Sequence, residues 1–452
     1  MKRKKIILFI TLLIIISVLG IYPVINKKNL NSKESNTLKI YLTGKNGKYD
    51  NRMKVIIDEF EKKYPNIKIE KVIVDNSFGN EQYAKKMLTD TLAGNGPDIL
   101  VLDNMSTINL EKSEMLLDLK PLMEQDKDLK KEDYNTKVIE AGLYNGKQLI
   151  MPLDYYINEY ITTEQLLKDN NIKLEDKYSL KDFMNALGGY ISSINGNKNK
   201  FLFATPMNIG DFLASSGEEF IDYNNKKVYF DKPEFKEIID NYKKIYKSSK
   251  KSADISGYFG TNGFEDLKNE SALFSNDPLI INDTFFEYES LISQVMGETQ
   301  IINSMPSYKG DDKPTAIIDR SLAISKNCKN KSAAYNFIKI AISEDIQSSP
   351  NLYSSIPVNT KAIKDLKQQY MNEVNNIFQL PFIKTKIVKQ PLSDNLQKYY
   401  SKVTDNIQNA VITDYEVDQI MMESLTPYFE DKSSYETCVR ALENKIKLYL
   451  NE

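Results

Sequence analysis

The sequence predicts an α/β protein built around an open sheet of parallel strands. Strand-like and helix-like segments alternate along its first hundred residues. Residues 38–42 form a short β-rich run, residues 67–74 alternate as a strand, and residues 99–102 form a continuous apolar strand. Apolar residues at helical spacing fill the intervals at 53–64 and 83–92. The resulting β-α-β-α-β order implies parallel strands covered by helices on both faces.

Proline and glycine set the ends of these segments. Pro65 ends the first helix because its ring cannot continue a helix. Gly94 is placed to close the second helix, and Pro97 prevents further helix before the third strand.

The carboxyl ends of the three strands predict a ligand-binding edge, because open α/β sheets bind ligands beyond those ends. The loops 43–47, 75–79 and 103–106 meet there. Asn46 in the first loop and Asp103 in the third are therefore candidate ligand contacts. A capping role within the loop is the alternative for each.

Composition excludes several functions. The 452 residues carry 60 Lys and Arg against 62 Asp and Glu, so no nucleic-acid partner is expected. Because the chain has no histidine, it has neither a Ser-His-Asp triad nor an HExxH zinc site. Cys328 and Cys438 lack metal-ligand spacing, and no metal or cofactor is expected. Catalysis by a carboxylate pair stays open.

The N-terminus predicts export from the cytoplasm. Four basic residues follow Met1, and an apolar run covers 6–25. About 20 residues can span a bilayer, and the basic flank would stay inside. Residues 1–25 are thus a signal or anchor segment, with a retained anchor favoured over cleavage, and residues 26–37 are a polar tether. Ile21 occupies the position that the lipidated cysteine of a bacterial lipoprotein signal would take.

The rest of the chain also carries local signals for turns, strands and helices. Asn145-Gly146 predicts a hairpin turn. A strand at 317–324 is interrupted by Asp319 and Arg320, and a helix ends the chain after a Ser433-x-x-Glu436 capping box.

Several segments together resemble the extracellular solute-binding proteins of bacterial ABC importers, family 1, the maltose-binding-protein-like group. They are FEKKYPNIKIE at 60–70, AGNGPDI at 93–99, YNGKQLIMP at 144–152, MPSYKG at 305–310, SLAIS at 321–325, SEDIQ at 343–347 and IPVN at 356–359. They occur in the family's order between about residue 38 and residue 452.

The resemblance implies a two-lobed, periplasmic-binding-protein-like fold of type II, with two open α/β sheets joined by hinge strands. The first lobe would comprise 38–152 and 301–349, and the second 153–300 and 350–452, with helices at the C-terminus. A monomer would close on its ligand and present it to the permease subunits of an ABC transporter.

The same resemblance places candidate ligand contacts in the cleft. Asp154, Tyr155 and Tyr156 follow the first crossover, although the tyrosines could belong to the core of the second lobe. Arg320 could bind an anionic group through its guanidinium fork or lie in an internal ion pair. The remaining candidates, with surface loop or turn as the alternative, are Asn208 and Asp277.

Three functions compete at this point. The leading one is extracellular capture of a small solute, with a saccharide expected, for ABC import and without enzyme activity. The second is a membrane-anchored sensor or presenter of the same fold, and the third is a carboxylate-pair glycoside hydrolase. The absence of tryptophan removes the family's usual sugar-stacking ring, although 28 tyrosines and 19 phenylalanines remain.

Overall fold

A computed structural model describes most of the chain. It covers residues 36–45, 48–75, 81–103, 107–175, 177–251, 262–276, 284–349, 355–379 and 385–451. The predicted anchor segment and residues 26–35 of the tether lie outside the described residues. In the part that is described, no helix combines the length and the apolar character needed to cross a membrane.

The first part of the chain alternates strands and helices as predicted. In chain order the elements are β1 Thr37–Lys45, β2 Lys48–Tyr49, α1 Asn51–Lys63, β3 Lys68–Asp75, α2 Glu81–Leu92, β4 Ile99–Val101, α3 Ile108–Lys112, α4 Lys120–Gln125, a 3-10 turn at Lys131–Asp133, α5 Thr136–Glu140, β5 Leu143–Tyr144, β6 Lys147–Gln148 and β7 Met151–Tyr156.

The middle part is largely helical. Its elements are β8 Glu159–Thr163, α6 Glu164–Asp169, α7 Leu180–Ile194, β9 Phe201–Phe203, α8 Ile209–Ser216, β10 Ile221–Asp222, β11 Lys227–Val228, α9 Pro233–Ser248, α10 Asn262–Lys268, β12 Ala272–Phe274, α11 Thr284–Leu291, a π-helical turn at Ile292–Met296 and β13 Gln300–Ser304.

The last part returns to the first sheet and ends in helices. Its elements are β14 Thr315–Ile324, α12 Lys331–Ala341, α13 Glu344–Gln347, β15 Ile356–Pro357, α14 Thr360–Asn372, β16 Ile377–Phe378, β17 Ile387–Val388, α15 Asp394–Asp405, β18 Asn409–Val411, α16 Tyr415–Phe429 and α17 Tyr435–Asn451.

The first lobe is built on an eight-stranded mixed sheet. Its strand order is β15-β7-β14-β4-β1-β2, with β3 beside β1 and β18 beside β14. Strand β1 runs parallel to β3 and β4, as the β-α-β-α-β pattern predicts. Strand β14 is antiparallel to β4 and β7. On one face, Phe60 of α1 packs against Phe337 of α12 with ring centroids 5.4 Å apart.

The second lobe has a smaller sheet and its own core. Strands β8 and β13 pair antiparallel, β9 and β12 pair parallel, and a bridge from Ile161 to Ser275 links the two pairs. A second apolar cluster includes Phe183, Phe274 and Leu425, so α16 packs with this lobe. The molecule therefore has two α/β lobes with separate cores, which confirms the predicted fold class.

The chain passes between the cores where β7 leads into β8, where β13 leads back to β14, and where β18 leads into α16. Val403 and Ile407 pack in the first core, although the sequence analysis assigned all of 350–452 to the second lobe. The predicted lobe boundaries stay a prediction. At the start of β8, the buried carboxylate of Glu159 accepts a hydrogen bond from the Tyr399 hydroxyl.

One predicted cap is wrong by a residue. The hydroxyl of Ser434, not Ser433, accepts the hydrogen bond from the Thr437 amide before α17. Both cysteines are buried and free.

Two glycines provide a test of the packing around the first crossover. A Cβ at Gly142 would lie 1.9 Å from the Ile150 carbonyl oxygen, whereas a Cβ at Gly189 in α7 would meet no atom within 4 Å. We expect Gly142→Ala to lower the free energy of unfolding by about 1–3 kcal/mol through overpacking. Gly189→Ala is its control and should raise that free energy by about 0.5–1 kcal/mol. Urea unfolding measures both, and a Gly142→Ala protein as stable as the wild type would contradict the packing described.

Candidate functional site

A polar cavity lies between the two lobes, beside strands β7 and β14 of the first sheet. Its volume is about 570 Å³, which includes the part of the cavity that is open to solvent. Both lobes contribute to its walls. The lining residues are Leu102, Tyr156, Ile318, Asp319 and Ser321 from the first lobe, Asn208, Asp211, Tyr415 and Asp418 from the second, and Ile412 and Thr413 between them. We call this cavity the cleft.

An ion pair between β7 and β14 underlies the first wall of the cleft. The Arg320 guanidinium donates to Asp154 Oδ2 at 3.1 Å and lies 2.6 Å from Asp319 Oδ2. The register of the two strands shifts on either side of Arg320. Asp154 is fully buried, and its burial raises the pKa to about 6 although two arginines oppose this.

A second arginine supports the same carboxylate. Arg52 Nη1 lies 3.6 Å from Asp154 Oδ2, and Arg52 Nη2 donates to Asp50 at 2.8 Å. Asp50 also accepts from the Arg52 amide at the start of α1. The pKa of Asp50 is lowered because these hydrogen bonds and the charge of Arg52 outweigh its burial. Asp154 is thus held between two guanidinium groups.

Asp103 follows β4 at the carboxyl edge of the first sheet. Burial raises its pKa to about 7, while the charges of Arg320 and Arg52 act in the opposite direction. Asp103 therefore shares the electrostatic environment of the Asp154 pair.

The second wall begins at the amino end of α8. Asn208 caps this helix by accepting from the Asp211 amide at 3.0 Å. The Tyr156 hydroxyl, at the end of β7, donates to Asp211 Oδ1 across the cleft at 3.0 Å. Burial raises the pKa of Asp211 to about 6. This hydrogen bond connects the two lobes directly.

Asp418 of α16 lies against the first turn of α8. A Cβ at Gly210 would lie 2.2 Å from Asp418 Oδ1, so the glycine leaves room for the carboxyl group. Burial raises the pKa of Asp418 to about 8, with further contributions from the charges of Asp211 and Asp414. Beside it, Tyr415 is 54% exposed and lines the cleft.

The predicted site residues fall into three groups. Tyr156 and Asn208 line the cleft, and Asp103, Asp154 and Arg320 lie around the ion pair beneath it. Tyr155 points to the other face of β7, where its hydroxyl donates to the Val403 carbonyl in the first core. Asn46 and Asp277 lie outside the described residues. Ligand contact by all eight stays a prediction.

Among the acidic and aromatic residues that line the cleft, sequence analysis did not select four as ligand contacts. Asp319 was noted only because it interrupts its strand together with Arg320, and Asp211 lies in the stretch after Asn208 for which a surface loop was the alternative. Nothing singled out Tyr415 or Asp418. Asn208 two residues before Gly210 and three before Asp211 signals a helix N-terminus, and that signal could have marked Asp211. Asp418 of α16 comes from a distant part of the chain, and no pattern in the sequence around it marks it as a cleft residue.

Comparisons with known proteins agree with this architecture. A sequence model described as bacterial extracellular solute-binding protein matches residues 46–348. A comparison with curated proteins found no match.

Three solved structures illustrate the likeness in fold. The sugar-binding protein MalE of Xanthomonas citri has a TM-score of 0.65 at 15% identity, covering 92% of this chain and 97% of that one. An ABC substrate-binding protein of Listeria monocytogenes in complex with cycloalternan has 0.61 at 17%, covering 92% and 99%. Maltose-bound MalE3 of T. maritima has 0.59 at 17%, covering 91% and 99%.

The chain belongs to the family of bacterial extracellular solute-binding proteins, since the family model matches more than half of its length. The resemblance found in the sequence is thereby confirmed.

Removal of Arg320 tests the ion pair beneath the cleft. Arg320→Met leaves Asp154 buried with Arg52 alone at 3.6 Å, so we expect a loss of about 3 kcal/mol in the free energy of unfolding at pH 8. The loss should be smaller at pH 5, where Asp154 is protonated. Arg320→Met with Asp154→Asn should be more stable than Arg320→Met alone. Exposed Arg440→Met is the control and should stay within about 0.5 kcal/mol of wild type; an equal loss in that control would refute the assignment.

The raised carboxyl pKa values predict how stability depends on pH. Because these groups have pKa values near 4 in the unfolded chain, the folded protein holds more protons between pH 5 and pH 8. Stability should therefore fall as pH rises through this range. Asp418, with a pKa of about 8, should contribute strongly.

The variant Asp418→Asn removes that group, so its melting temperature should change less between pH 5 and pH 8 than that of the wild type. Asp128→Asn is the control, since that side chain is 91% exposed and does not line the cleft. If Asp418→Asn and wild type show the same pH dependence, Asp418 is not a protonated group of the folded state.

Proposed function

We propose that this protein captures a small carbohydrate outside the cell and delivers it to the permease subunits of an ABC transporter. The observation that carries the proposal is the cleft itself, because each lobe supplies part of one polar cavity. Ligand sites of this kind place a few polar groups in a concavity between domains. The comparison structures with cycloalternan and maltose support a saccharide as the solute class.

Two features of the cleft suit a saccharide. The exposed ring of Tyr415 offers an apolar face for the C–H surface of a sugar. The carboxyl and amide groups of Asp211, Asn208 and Asp418, with the hydroxyl of Ser321, offer acceptors and donors for sugar hydroxyls.

Binding would couple to lobe closure. A ligand that contacts Asp319 on one wall and Asp418 on the other is bound fully when the lobes are close together. Its binding free energy therefore shifts an open–closed equilibrium, and the permease can distinguish the two states. The chemistry is reversible hydrogen bonding and stacking with no bond made or broken. Incubation with oligosaccharides should yield no hydrolysis product.

The apolar run at 6–25 supports attachment of the chain to the membrane, with the lobes on the extracellular side. We further propose that the protein acts as a monomer. A retained anchor also favours a second candidate, a sensor or presenter that signals occupancy to a membrane partner without transport. Deletion of the gene distinguishes the two, because loss of solute uptake is expected for an importer component alone.

Tyr415 provides the test of saccharide capture. A panel of mono- and oligosaccharides should contain a ligand that raises the melting temperature, since specific binding stabilises the folded state. Tyr415→Ala should weaken that ligand's affinity about two- to twelvefold through loss of stacking worth about 0.5–1.5 kcal/mol. Leu448→Ala, on the C-terminal helix and 65% exposed, is the control and should leave affinity unchanged. Failure of every saccharide to shift the melting temperature would refute the proposed function.

A further inference from the structure

Two of the three acids of the cleft have no cationic partner among the described residues. Three carboxyl groups line it, those of Asp211, Asp319 and Asp418. Asp319 is paired with Arg320. Neither Asp211 nor Asp418 forms an ion pair with a described residue.

Asp418 is the most isolated of these acids. It is 8% exposed, and the side chain of Asn208 is the sole donor found near its carboxyl group among the described residues. The charged and titratable groups that face it from the surrounding elements are acids and tyrosines. They are Asp211 of α8, Asp414 at the start of α16, Tyr156 of β7, Tyr223 after β10 and Tyr242 of α9.

The fold does not account for these two acids. Asp211 accepts one hydrogen bond, from the neutral Tyr156 hydroxyl, which an amide oxygen would accept equally well. Asp418 holds no helix or strand in place through a hydrogen bond to the backbone of the described residues. Burial is the largest reason that the pKa of each carboxyl group is raised; the charge of Asp211 adds to the rise at Asp418, and the charge of Asp319 adds to the rise at Asp211. Ionising either acid in the unliganded cleft therefore costs free energy. A cation placed between them would remove this cost.

We propose that the captured solute is a saccharide bearing a protonated amine, which is bound between Asp211 and Asp418. This inference deepens the proposed function and rests on it. The amine donates charge-assisted hydrogen bonds to the two carboxylates. The Tyr415 ring lies at the same site, where it can contact the sugar face and attract the ammonium group.

Other charged ligands fit less well. In the described part of the chain, no group of three acids is arranged to hold a metal ion. An acidic sugar would require a free cation, and Arg320 is already bound to Asp154 and Asp319. The structure therefore favours an amine over a metal ion or a carboxylate.

The test is isothermal titration calorimetry of the full-length chain in detergent with three matched sets of sugars. The first is glucosamine and its β-1,4-linked oligomers of two to six units. The second is the same series with each amine N-acetylated, which is neutral, and the third is the corresponding uronic acids. At pH 7 we expect a member of the amine set to bind at least tenfold more tightly than its N-acetyl counterpart. Its affinity should fall at pH 5, where protons compete for Asp211 and Asp418.

Isosteric variants locate the effect. Asp418→Asn and Asp211→Asn should each reduce the amine preference, and the double variant should abolish it. Asp128→Asn removes the same charge outside the cleft and should retain the full preference. Binding of spermidine to the wild type, with no sugar bound, would overturn the saccharide part of the inference.

The remaining outcomes separate this inference from the proposed function. If the N-acetyl or uronic acid set binds as tightly as the amine set, the amine inference is wrong and saccharide capture stands. If no sugar of the three sets binds, the amine inference is wrong, and the proposed function falls as well only if the broader saccharide panel also gives no shift in melting temperature. A preference for the amine that survives in the double variant would also overturn the inference, because the cation would then be recognised elsewhere.

Discussion

The ion pair between Asp154 and Arg320 is the interaction on which the cleft depends. It joins the last strand before the chain enters the second lobe to the long strand by which the chain returns. A fully buried carboxylate is tolerated there because two guanidinium groups lie beside it. The same pairing occupies the guanidinium group of Arg320, which is therefore not free to bind a ligand. The first wall of the cleft therefore has an ion pair at its base, and acids line the cleft surface.

The second wall depends on how α8 and α16 pack together. Gly210 lets the two helices approach closely enough for Asp418 to reach the cavity beside Asp211. The Tyr156 hydroxyl then links this wall to the first lobe. Both lobes thus share a short polar network in the cleft. A ligand that adds contacts to both walls would favour closure.

Much of the fold could be predicted from sequence because its signals are local. The parallel strands β1, β3 and β4 follow from apolar periodicity, and Pro65 and Gly94 mark helix ends. The family resemblance around the first crossover led to Tyr156, which lines the cleft. Asp418 could not be found in this way, because its position beside the first turn of α8 arises from packing between distant helices. The capping box at Ser433 was misplaced by one residue because Ser434 offers the same hydroxyl.

The central claim is that one solute is held by both lobes at once. A crystal structure of the protein with a bound saccharide tests it most directly. The account predicts ligand density in contact with Asp319 or Ser321 on one side and with Tyr415 or Asp418 on the other. Density confined to one lobe, or located away from the cleft, would contradict it.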